Sequence, residues 1–122
     1  MRRIAILGVL LLAGCATPVV APVSVSRQAV TQIELEYVNK FLVPAASYQL
    51  LPRCPKPAGT ACSDAATVAR LHETQQHLHN TIYALRNFSD AAPDADASVL
   101  IANARTELAA AEAMVPAKGA TP

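Results

Sequence analysis

Leu71, Leu78 and Leu85 stand seven residues apart, and with Val68 ahead of them and Gln75 and Ile82 between them they alternate spacings of three and four. An α-helix turns once in about 3.6 residues, so all six fall on one stripe of one helix. A stripe of that kind has to be covered by another element, and this requirement constrains the fold more than any other feature. Ser63 or Asp64 supplies the cap that starts this helix, and Asp64 adds negative charge at its N-terminus. The polar stretch 87–92 reads as the break that ends it.

Two more stripes are available to cover the first. Val30, Ile33, Tyr37, Phe41, Pro44 and Tyr48 are spaced 3, 4, 4, 3 and 4, while Glu34, Glu36, Asn39 and Lys40 fall mostly off that face. Ser26 is the candidate cap for this helix, and Pro52 ends it. Pro44 either kinks the helix or starts a second short one after Val43. The stripe carries through to Tyr48, which favours the kink. Pro93 opens a third helix with Asp94 and Asp96 in its first turn. Its stripe is Ala97, Ile101, Ala104, Leu108, Ala111 and Val115, and Pro116 stops it. The chain is 52% hydrophobic but 4% aromatic, with alanine supplying much of the apolar fraction. Core side chains of that size suit close helix contact. The expectation is an all-α, antiparallel three-helix bundle over residues 27–115, with 116–122 a loose tail.

The N-terminus has its own organisation. Met1-Arg2-Arg3 is followed by an apolar run over 4–13, too short to span a bilayer, and then by Leu12-Ala13-Gly14-Cys15. These parts, in this order, resemble the type II signal peptide and lipobox of bacterial lipoproteins. The resemblance implies that 1–14 is a signal peptide cleaved before Cys15, and that the Cys15 thiol carries diacylglyceryl. It implies two or three acyl chains (palmitate being typical), enough for firm attachment. The alternative is an uncleaved N-terminal anchor with an incidental cysteine. Ala16, where Asp would favour the inner membrane, implies by the same resemblance sorting to the outer membrane, facing the periplasm. Residues 15–26, from the lipidated Cys15 through a Pro-rich stretch, read as an extended tether of about 30 Å.

Loss of Arg2 and Arg3 with the leader turns the formal net charge from +1 to about −1. No basic patch remains to bind nucleic acid. The expected partners are the membrane, through lipid on Cys15, and another envelope protein.

The segment 52–62 holds three prolines and a glycine and reads as a loop bracketed by Cys54 and Cys62. In an oxidising periplasm the two cysteines are expected to pair as a disulfide. A redox-active pair, free thiols or a metal site are the alternatives. The reactive spacing is usually two residues, and two further metal ligands are not nearby in sequence.

Chemistry-bearing residues are few. His72, His77 and His79 share the second helix with Glu73. Glu73 and His77 are four apart and are the candidate metal ligands. His72 and His79, about 10 Å apart along the axis, do not share an ion. The competing reading makes Arg70, Glu73, His77 and Asn80 the solvated back of the helix, with His72 and His79 flanking the leucines. A pH-responsive contact through these histidines is the remaining functional option. Ser47, Ser63, Ser89 and Ser98 sit in no nucleophile-elbow context. Gly59 and Gly119 form no phosphate loop. Tyr37, Tyr48 and Tyr83 either pack at the core boundary or line a groove. No cofactor is expected, and no enzyme.

Tyr48, Leu51-Pro52-Arg53-Cys54 and Cys62-Ser63-Asp64-Ala65, ahead of an Ala-rich helix, resemble small helical proteins borne by phages and prophages. That resemblance would cover 26–115 and implies a lysis or superinfection-exclusion lipoprotein. Outer-membrane spanin subunits are shorter and Pro-rich throughout, and the helical domain departs from them. The leading reading is a non-enzymatic envelope lipoprotein with a structural or protein-interaction role. The phage-derived factor and a redox or metal-binding envelope protein are the alternatives.

Overall fold

A computed structural model describes residues 25–55 and 61–117. The leader, Cys15, tether residues 15–24, loop residues 56–60 and tail residues 118–122 lie outside the described residues. Within them the chain is a helical bundle with no β-strand. A first helical run comprises α1 (Val25–Glu36), a π-helical segment (Tyr37–Leu42) and α2 (Val43–Gln49). It is followed by α3 (Ala65–Ala91) and α4 (Ser98–Met114).

Pro44 stands in the first turn of α2, and the backbone stays helical through Leu42 and Val43, so the proline changes the winding without interrupting the run. Proline has no N–H, and its ring collides with the carbonyl four residues back in a regular helix. The turn ahead of it is wound wider instead: the Val43 N–H donates to the Val38 carbonyl, five residues back. The same winding moves the buried stripe. Ile33, Tyr37, Phe41 and Ala45 are buried at steps of four, with Ala45 rather than Pro44 in the core. On an α-helix each step of four drifts about 40°. Three such steps would carry Ala45 off the face, and the π segment takes up that drift. Ser26 also differs from expectation. It does not cap the helix but lies buried in the first turn, accepting from Ser89 Oγ at 3.3 Å and donating to the Pro93 carbonyl at 3.5 Å.

α3 is capped by Asp64, whose carboxylate accepts from the Thr67 N–H at 2.8 Å. Leu71, Leu78, Ile82 and Leu85 are buried along it, while Val68 and Gln75 are half-buried. The helix runs on through the expected break at 87–92. Phe88 packs against the core, and Ser89 is 2% exposed with its hydroxyl satisfied by Ser26. Burial of two more stripe positions outweighs the turn preference of Asn87, Ser89 and Asp90. The third helix correspondingly starts later than Pro93. Residues 93–97 form a turn, and Asp96 Oδ1 accepts from the Ser98 N–H at 2.9 Å, just ahead of α4. On α4, Ala97, Ala104, Leu108 and Ala111 are buried, with Ile101 and Val115 packed beside them.

These stripes meet in one core whose largest fully buried side chains are Phe41, Ile33, Leu71 and Leu78. α1 touches both α3 and α4, the π segment touches α4, α2 touches α3, and α3 and α4 touch each other. Along the contact between the first run and α3, Ser26 meets Ser89, Glu34 meets Arg86 at 3.1 Å, and Tyr37 Oη donates to the Gln75 carbonyl at 3.3 Å. The numbers rise on one partner as they fall on the other. Burial holds the Tyr37 phenol above its ordinary pKa.

Candidate functional site

The end of the bundle opposite Val25 is closed by a neck of irregular chain between α2 and α3. α2 ends as Leu50 and Leu51 donate to the carbonyls of Ala46 and Tyr48, and Pro52 prevents continuation. The two segments of the neck then meet at an isolated parallel bridge, Arg53 to Ser63. Ser63 N–H donates to the Pro52 carbonyl at 2.9 Å, and Cys54 N–H donates to the Ser63 carbonyl at 3.2 Å. Ser63 has no exposed surface, and its hydroxyl donates to the Leu51 carbonyl at 2.9 Å. Asp64 N–H donates to Tyr48 Oη at 2.9 Å. Cys54 and Cys62 form a disulfide across this neck, with Cα atoms 5.3 Å apart. The Thr67 backbone N–H holds the Asp64 carboxyl below its ordinary pKa, helped by the Thr67 hydroxyl.

The neck forms one wall of a groove of about 630 Å³. Val43, Pro44, Tyr48 and Leu51 line one side, and Val115 and Pro116 at the end of α4 line the other. Lys40 and Glu112 supply one cation and one anion. The volume falls in the range of ligand and peptide sites, and the lining is apolar with few polar groups. Ser47 beside it donates its hydroxyl to the Val43 carbonyl at 2.9 Å, so it is held by its own helix. The arrangement offers an apolar contact surface with oriented charge. Sequence reasoning did not find Val43, Ala61, Glu112 or Pro116 as site residues. They are distant in the chain and converge only through helix packing.

The remaining sequence candidates are distributed elsewhere. His72, His77 and His79 are all exposed on α3. Glu73 and His77 both line a second groove, of about 370 Å³, between α3 and α4. There His77 Nε2 lies 3.4 Å from Glu107 Oε2 across the helix pair. Among the described residues no group of three His, Cys, Asp or Glu gathers closely enough to hold a metal ion. His79 stacks on Tyr83 with ring centroids 6.3 Å apart, on the surface. Tyr37 is buried, and Tyr48 packs against the core and borders the larger groove. Ser63 and Ser89 are buried hydrogen-bonding groups. Asp94 is exposed, and the Ser98 N–H holds the Asp96 carboxyl below its ordinary pKa.

No known protein family matches the chain, and no curated protein or solved structure is significantly similar to it.

Proposed function

We propose that the chain is a membrane-anchored lipoprotein of the outer membrane, facing the periplasm, with a structural or protein-interaction role and no catalytic one. The observation that carries the reading is Leu12-Ala13-Gly14-Cys15 directly after an Arg-led apolar run. The Cys54–Cys62 disulfide supports it, since structural disulfides belong to oxidising compartments. No described helix is long and apolar enough to cross a membrane, and in this reading attachment rests on the acyl chains of Cys15.

The domain in this proposal is an antiparallel three-helix bundle, supported by the opposed pairing of Ser26 with Ser89, Tyr37 with Gln75, and Tyr48 with Asp64. The chain enters at Val25, and the disulfide neck lies at the other end. α3 has 27 residues, about 40 Å of helix. The groove beside Tyr48 is therefore presented far from the anchor, where an envelope protein rather than the lipid surface would meet it.

Fractionation of cells expressing the wild-type chain and Cys15→Ser tests the anchor. Wild-type protein is expected in the outer membrane after a high-salt wash, and Cys15→Ser in the soluble fraction. Identical partitioning of the two would remove the proposal.

A further inference from the structure

Midway along the contact between α3 and α4, Glu107, whose side chain is 37% exposed, carries a buried carboxylate oxygen, Oε2, that has no hydrogen-bond partner among the described residues. A buried acceptor left unmet is costly, and native structures rarely tolerate one without a purpose. The group beside it is His77 Nε2 on α3, 3.4 Å away, a little beyond a good hydrogen bond. The His77 side chain is 69% exposed, so protons reach it from solvent without any opening of the bundle. Glu73, one turn earlier on α3, lines the same groove and brings a second carboxylate. None of the described residues lining this groove is Lys or Arg; Arg70 lines the adjoining groove, two turns away on α3. A neutral imidazole offers Glu107 a weaker donor in one tautomer and a lone pair in the other.

We propose that His77 and Glu107 form a proton-operated latch between α3 and α4. Protonation at Nε2 supplies Glu107 Oε2 with a charge-assisted donor and draws the two helices together at this level. Deprotonation leaves the carboxylate unmet and loosens α4 from this point onward. Glu112, Val115 and Pro116, which wall the groove at the disulfide end, lie five, eight and nine residues further along the chain, the last two just past the end of α4. The latch thus sets how firmly that wall is held as acidity changes. His77 was already singled out in the sequence by its spacing from Glu73, but its partner is on α4.

Thermal melts of the full chain at pH 7.5 and pH 5.5 test this, for wild type, His77→Gln, Glu107→Gln and the double variant. The interval spans imidazole titration and stays above the ordinary carboxylate range. Wild type is expected to gain roughly 2–4 °C in Tm over His77→Gln on acidification. Glu107→Gln should lose the same increment, and the double variant no more than either single one. His72 and His79 contribute equally to all four chains and cancel. Parallel pH curves for wild type and His77→Gln, or an undiminished acid gain in Glu107→Gln, would overturn the latch.

Discussion

The two ends of the bundle are closed by different means. At the disulfide end the chain is held by a covalent bridge, three backbone or side-chain hydrogen bonds centred on the fully buried Ser63, and the Tyr48 hydroxyl on the start of α3. At the end where the chain enters, Ser26 and Ser89 share a 3.3 Å hydrogen bond, and Arg27 pairs with Asp90 at 3.5 Å in the open. The difference follows from what each end must connect. α3 and α4 are joined by a short turn, which needs little help. The first run and α3 are joined by a longer, Pro-rich loop whose ordering is entropically costly, and the disulfide lowers that cost by constraining the unfolded chain. A small helical core with few aromatics gains proportionately from such a staple.

The contrast can be broken from either side. Phe41 is fully buried on the disulfide half, and Phe41→Ala should destabilise by about 3–5 kcal/mol in chemical denaturation, against much less for Val30→Ala near the entry end. Replacing Cys54 and Cys62 together by Ser should cost roughly 2–3 kcal/mol for so short a loop, with the helical circular dichroism retained. Among the buried serines, Ser63→Ala removes the donor for Leu51 and should cost about 1–3 kcal/mol. Ser89→Ala, which loses a longer bond to a hydroxyl with a second acceptor, should cost less than Ser63→Ala. Equal losses for the two serines would erase the proposed asymmetry between the ends.

Acid titration sharpens the comparison more gently. Asp64 at one end and Asp96 at the other are both held below their ordinary value of 3.8 by backbone N–H groups. As pH falls the unfolded chain takes up these protons first. The stability they carry is therefore complete above that value and lost as pH drops through the folded one. Asp64→Asn and Asp96→Asn should each flatten the fall in Tm between pH 5 and pH 2.5. Asp64, with the Ala66 N–H and the Arg70 charge as additional contributors, is expected to matter more. The smallest effect is expected at Arg86→Ala, midway between the ends, where the pair with Glu34 is largely solvated and should contribute under about 1 kcal/mol.

The sequence was most informative where local pattern and packing agree. The alternating threes and fours from Val68 through Leu71, Gln75, Leu78 and Ile82 to Leu85 marked α3 and its buried face, because a regular stripe needs nothing beyond helix geometry. Asp64 was legible as a cap for the same local reason. The π segment carried a weaker signal, three successive steps of four ending at Ala45, which a preference for Pro44 in the stripe obscured. The end of α3 was hidden because Asn87, Ser89 and Asp90 favour turns on their own. The helix is carried on by burial of Phe88 and Ser89, and the Ser89 hydroxyl is satisfied by Ser26, 63 residues away. The groove was not legible at all. Its walls come from α2, the neck and the end of α4, and no local pattern links Tyr48 to Val115. His77 stood out by its spacing, yet the carboxylate beside it lies on a different helix.

Intact mass of protein extracted from the membrane fraction, before and after reduction, decides the proposal that an anchored, disulfide-closed chain begins at Cys15. A chain starting at Cys15 with attached lipid, gaining about two hydrogens when the bridge is reduced, is expected. A chain starting at Met1, without lipid and with free thiols, would contradict it.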